Sequence, residues 1–335
     1  MNKFAFVVLI IALISTGCAT QNAANAQVLA ESPNKTPTSQ PIIQSEVCSN
    51  LLDEYSGSDK KPELVVYEKS SYKTYPITQV DEAITHYLSN KQSGQPLVLY
   101  VHGRALEDTK IGEYDREPDE SKRDVIPAFS SKYNANTILM LHWPHKKPEN
   151  KFPEGDAKFA GKALICVIQR LNSESFNVGK FPGFRALITH SMGALVLEEA
   201  LDKSSESLNG FDVVSIFAAA SKADHANSWL SKISAHKQYV LINTKDIVLG
   251  QVKDITKSVP LGMCDSKCFQ RNQSAKNVIY LDITDIAGAF HRRHNYFVEG
   301  DVADKIVTEI LKGESPPMGI KGVAENHRII RKQDI

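Results

Sequence analysis

Short runs of consecutive apolar residues alternate along this chain with segments in which apolar residues recur every third or fourth position. The first pattern marks strands covered on both faces, the second helices with one buried side. Glu63–Tyr67 reads as a short strand. A helix follows over 78–88, with Val80, Ala83, Ile84 and Leu88 on one side and Thr78 as its cap. Leu97–Val101 is five apolar residues in a row and leads into His102-Gly103. A weak helix is expected over 125–132 and a covered strand over 136–142, ending at Trp143-Pro144. A strong helix is expected over 157–171, carrying Phe159, Ala163, Leu164, Val167 and Leu171. Ala186–Ile188 is the next strand, and a helix with Leu195, Leu197 and Ala200 leaves it. Strands over 211–217, 237–243 and 277–282 and a helix over 302–311 complete the series. Strands alternating with helices predict one α/β domain on a mostly parallel, doubly covered sheet.

The pattern fails at both ends. Residues 1–17 read as a signal peptide: Lys3 supplies a positive start, and Phe4–Ile14 is an apolar run too short for a permanent membrane span. The run ends in Ser15-Thr16-Gly17-Cys18-Ala19, which resembles a bacterial lipoprotein cleavage box. That resemblance implies that Cys18 becomes the acylated N-terminus, held in a membrane by chains worth about 0.8 kcal/mol per buried methylene. It also implies a place in the bacterial cell envelope. With Ala19 after the cysteine, that place is the outer membrane if the source has one, with the domain facing the periplasm or the surface. The alternative is an ordinary secretory signal cut after Ala19 or Ala26. Residues 18–46, rich in Asn, Gln, Ala, Pro, Ser and Thr, read as a flexible tether, 47–312 as the domain, and 313–335, beyond the helix, as a polar C-terminal tail.

Composition narrows the function. The 335 residues carry 39 basic and 39 acidic side chains, so no basic excess draws the chain to nucleic acid. Export allows disulfides, and Cys264 and Cys268 are close enough to close a small ring. Cys166, inside an apolar helical pattern, reads as a buried thiol, and Cys48 has no evident partner. The cysteines lack paired C-x-x-C spacing, so no metal is expected.

In open α/β sheets, ligands sit at the carboxyl ends of the strands. There stand His102-Gly103-Arg104, His142-Trp143-Pro144, Ser191, Asp224, Asp246, and a late loop with His291 and His294. Thr189-His190-Ser191-Met192-Gly193 lies where a strand turns into a helix. That is the place of a nucleophile elbow, with Thr189 where G-x-S-x-G has its first glycine. The alternative is a Ser191 that only caps the helix. His102 reads as a packing residue under the following loop, and His190 as pointing away from any chemistry.

Serine, acid and histidine in that chain order resemble the α/β-hydrolase superfamily. Together with His102-Gly103 and Trp143-Pro144, they resemble its DUF900-type bacterial members over about residues 62–312. The resemblance implies an α/β-hydrolase fold and a serine esterase or thioesterase acting on a small acyl substrate without a cofactor. Ser191 would be the nucleophile, His294 its base and Asp246 the acid behind it. The backbone N–H groups of Met192 and Arg104 would form the oxyanion hole. Asp224 rivals Asp246, and His291 rivals His294. The charged stretch 104–124 reads as a solvated loop rather than an apolar lid, and 247–276 as a long excursion without clear structure. A transacylase would use the same residues. An inactive binding or scaffold module on the same fold is the reading from another class.

Overall fold

The computed structural model describes residues 61–68, 71–103, 125–143, 152–175, 183–203, 207–271, 275–288, 291–298 and 300–335. All of them belong to one compact unit, 44–335. Cys18, Cys48, Arg104, the signal segment, the tether and the charged stretch 104–124 lie outside the described residues.

Ten strands make one sheet, in the order β2-β1-β4-β3-β5-β6-β7-β8-β10-β9. They are β1 (Glu63–Glu68), β2 (Ser71–Pro76), β3 (Leu97–Val101), β4 (Ile138–His142) and β5 (Arg185–His190). Then follow β6 (Val213–Phe217), β7 (Lys237–Ile242), β8 (Ile279–Asp282), β9 (Ile320–Lys321) and β10 (His327–Ile329). From β4 to β10 the neighbours run parallel. β1 runs against both β2 and β4, and β9 against β10. Every residue of β3 and β6 is buried, which explains their unbroken apolar sequences: helices cover both faces. The crossing order β4-β3-β5 puts a reversal of winding beside β5, the kind of switch point where such sheets bind ligands. This is a mostly parallel, single-domain α/β fold.

The helices in chain order are α1 (Val80–Asn90), α2 (Val125–Lys132), α3 (Glu154–Ser175), α4 (Gly193–Lys203), α5 (Ala226–Leu230), α6 (Ile247–Thr256), α7 (Ser266–Arg271), α8 (His291–His294) and α9 (Thr308–Leu311). A π-helical stretch, Val302–Val307, runs directly into α9. None is long and apolar enough to cross a membrane among the described residues.

The structure departs from the sequence reading in several places, among them the first helix, which starts at Val80 with Thr78 in a 3₁₀ turn before it rather than as its cap. Residues 313–335 do not leave the domain as a polar tail: β9 and β10 extend the sheet, and His327 and Ile330 are fully buried. The excursion 247–276, expected to lack clear structure, contains α6, a 3₁₀ turn at Leu261–Met263 and α7, while the expected Cys264–Cys268 disulfide is formed. Cys166 is disulfide-bonded rather than a free thiol. Its partner lies outside the described residues, because Cys264 and Cys268 bond each other. Finally, β2 forms at an edge where no apolar run announces a strand.

Candidate active site

Ser191 sits between the last residue of β5 and the first of α4, with φ of 54°. A side chain in this left-handed region is strained unless its surroundings hold it there. Here they do. Ser191 N donates to Phe217 O at the end of β6, and Ser191 O accepts from Ala194 N and from Ala220 N. Two glycines let the turn pack tightly. A Cβ on Gly193 would stand 2.4 Å from Val101 O, and one on Gly103 would stand 2.5 Å from Ser191 Cβ. Gly193 therefore lets the start of α4 press on the end of β3, and Gly103 lets the following loop pass over the serine. Ser191 is 2% exposed.

Asp246 and His294 come together from the segments after β7 and β8. His294 Nδ1 lies 2.8 Å from Asp246 Oδ2, with His294 6% and Asp246 1% exposed. The other carboxylate oxygen, Oδ1, accepts from Leu249 N at 2.9 Å and caps α6. An ionised carboxylate can only accept, so Nδ1 carries a proton toward Asp246. His294 Nε2 is buried and has no hydrogen-bond partner among the described residues.

The histidine segment is tied down by groups that chain order does not reveal. Arg293, just before His294, has φ of 65°. Its carbonyl accepts from Asn243 Nδ2 at 2.8 Å, and Asn243 N donates to Gly262 O. Tyr296 Oη accepts from Ala218 N at 2.6 Å, holding another non-glycine residue at positive φ, 48°. Burial and the nearby Asp246 carboxylate push the Tyr296 phenol well above its usual range, so it stays neutral in this role.

His190 does not point away from this cluster, as the sequence reading had it. Its ring centre is 4.7 Å from that of His294 and 4.8 Å from that of Phe297. Burial, with the neighbouring His294 and His102, holds its pKa well below the usual histidine value. His102 is fixed by backbone groups: Nε2 accepts from Trp143 N at 3.1 Å, and Nδ1 faces Gly103 O. The Trp143 indole N–H donates to His102 O at 2.9 Å, and the His142 ring stacks on His102 at 5.1 Å. That lattice explains the Trp at the end of β4, a signal whose meaning the sequence did not disclose.

Met192 is buried directly after Ser191. Arg104, the other expected oxyanion donor, lies outside the described residues, as do the side chain of His291 and all of His145. Asp224 is exposed. It acts electrostatically on His225.

No known family profile matches the chain. No curated protein sequence matches it either. Among solved structures, one similar to it is a thermophilic esterase from the Planctomycetes species Thermogutta terrifontis, with TM-score 0.36, 9% identity, and coverage of 76% of this chain and 86% of that one. Another is esterase B from Lactobacillus rhamnosis inhibited by a tributyrin phosphonate, with TM-score 0.37, 10% identity, and coverage of 79% and 91%. A third is an esterase/lipase from an uncultured bacterium, with TM-score 0.36, 13% identity, and coverage of 83% and 93%.

Proposed function

We propose that the protein is a serine hydrolase of carboxylic esters or related acyl compounds, working through an acyl-enzyme. The observation that carries this is the buried Asp246–His294 pair, whose Nε2 has no hydrogen-bond partner among the described residues. In this reading Ser191 Oγ attacks the substrate carbonyl carbon while His294 Nε2 takes the hydroxyl proton. The oxyanion is held by the backbone N–H groups of Met192 and Arg104, one such donor being worth about 10²- to 10³-fold in rate. The C–O bond to the leaving group then breaks, and His294 returns the proton to the departing alcohol. Water, deprotonated by His294, next attacks the acyl carbon. That C–O bond to Ser191 breaks, and the serine recovers its proton. Asp246 stabilises the imidazolium at both stages. The resemblance to DUF900-type hydrolases belongs to the same proposal.

A fluorophosphonate probe should label the full chain and leave Ser191→Ala unlabelled. The same substitution should lower ester turnover by up to roughly 10⁶-fold if the three residues act as a unit. Equal labelling of both proteins sinks the assignment. A folded protein inert to the probe and to short p-nitrophenyl esters is the outcome for a binding or scaffold module. An observation that favours this second reading is that no hydrogen bond joins His294 Nε2 to Ser191 Oγ, although such bonds often close only around substrate. A transacylase would divert product to an added alcohol.

The export half of the reading rests on the sequence around Cys18. We place the protein in a bacterial envelope, lipid-anchored there and acting on a small acyl substrate rather than on nucleic acid. Cells fed radiolabelled palmitate should incorporate label into the wild type and not into Cys18→Ser. Equal incorporation, or none in either, overturns the anchor.

A further inference from the structure

The far part of α4 carries a cluster that the hydrolase reading leaves unused. Glu198 and Asp202 are four residues apart on this helix and share one side of it. His225, the residue before α5, reaches across to them. Its Nδ1 is 2.9 Å from Glu198 Oε1 and 3.7 Å from Asp202 Oδ2. One ligand atom from each of the three lies within 4.8 Å of the others. A four-coordinate ion with ligands at about 2.1 Å sets those ligands about 3.4 Å apart, a spacing that the two measured distances bracket.

A second observation concerns charge. Glu198 is 9% exposed, and a buried carboxylate is normally matched by a cation or a metal. Among the described residues, neither Glu198 nor Asp202 has a Lys or Arg within ion-pair distance, and the imidazole is their one basic partner. Glu199 and Asp224 add further negative charge close by. One imidazole thus faces two carboxylates, and burial already raises the pKa of Glu198.

We propose that Glu198, Asp202 and His225 form a site for one divalent cation, Zn²⁺ before Mn²⁺ or Ca²⁺. One imidazole with two carboxylates suits a borderline metal, whereas Ca²⁺ prefers oxygen ligands alone. The ion takes the Nδ1 lone pair and displaces the Nδ1 proton to solvent. Half of the His225 side chain is exposed, so water reaches the remaining coordination positions. The ion clamps α4, the helix that follows Ser191, to the residue that leads into α5.

The test is calorimetric titration of the EDTA-treated, dialysed full chain with ZnCl₂, MnCl₂ and CaCl₂, followed by thermal unfolding. The expected result is one saturable Zn²⁺ per chain, tightest of the three, with a Tm that rises with zinc. Asp202→Asn and His225→Gln, both on the solvent side of the cluster, should each weaken binding at least tenfold while circular dichroism shows an intact fold. Ser191→Ala should bind zinc as the wild type does, which separates this site from the hydrolase reading. No saturable binding, or binding of equal strength in wild type and both cluster variants, means an adventitious ion only and overturns the proposal.

Discussion

Asp246 performs two tasks with one carboxylate, capping α6 through Oδ1 and meeting His294 through Oδ2. Neither oxygen is left to rotate, so the imidazole behind it is fixed in direction. Asn243 and Tyr296 extend the same logic, each fastening a backbone position at positive φ near the pair. His190 shows what such packing costs. Its ring is buried beside two other imidazoles, and its Nε2 has no partner among the described residues. Because burial depresses its pKa in the folded state, the unfolded chain takes up a proton first as pH falls below about 6.5. Stability is therefore complete above that pH and drains away below it, toward the lower folded-state value. His327, also depressed by burial, adds in the same direction. Urea unfolding at pH 7 and pH 5.5 should show that His190→Phe removes about 1 kcal/mol of the wild-type difference between the two pH values. Identical pH differences in the two proteins contradict the buried, uncharged assignment. No sequence pattern discloses this role, since periodicity says which face a residue takes and not which ring it will meet.

Elements were legible in proportion to how fully they are buried. β3, β4 and β6 are covered on both faces, so their sequences contain little but apolar residues and could be read directly. That in turn made the ends of the strands legible, and with them the positions of Ser191, Asp246 and His294. β2 was not legible, because an edge strand buries few side chains and Tyr75 is the one fully covered here. The stretch 247–276 escaped for another reason: its helices are short, and part of its order comes from backbone bonds to distant strands. Leu261 N donates to Ser221 O and Gly262 N to Ala219 O, while Gly262 O accepts from Asn243 N. The Cys264–Cys268 disulfide closes the loop directly behind this turn. The chain-entropy effect of so small a ring is about 2 kcal/mol. Replacing both cysteines by alanine should cost about that much in denaturant unfolding and lower Tm by a few degrees. An unchanged midpoint shows that the backbone bonds alone hold the turn, and that the disulfide contributes nothing to it.

At the scale of the molecule, the sheet is completed by residues that look dispensable in sequence. The segment 313–335 has few large apolar residues, and its strands are two and three residues long, below the length at which alternation can be recognised. Its hold on the domain is mostly polar. Tyr280 N donates to Asn326 O, Ile330 N donates to Asp282 O, and Asn326 Nδ2 reaches both Ala275 O and Val278 O at 2.7 Å. His327 lies fully buried with its ring 4.6 Å from that of Phe269 on α7, and Ile330 is buried beside it. Without this segment β8 would become a bare edge, with unpaired N–H and C=O groups open to other chains. β8 also leads into the segment that carries His294, so the damage would not stay at the rim. Ending the chain at Lys312 should therefore lower the soluble fraction on expression and lower the Tm of what remains soluble. Ester turnover, where the wild type has it, should fall along with the folded fraction. The measurement is a side-by-side comparison of soluble yield and thermal unfolding. A truncated protein as soluble and as heat-stable as the full chain would mean that β8 closes the sheet unaided and that the last two strands are ornament.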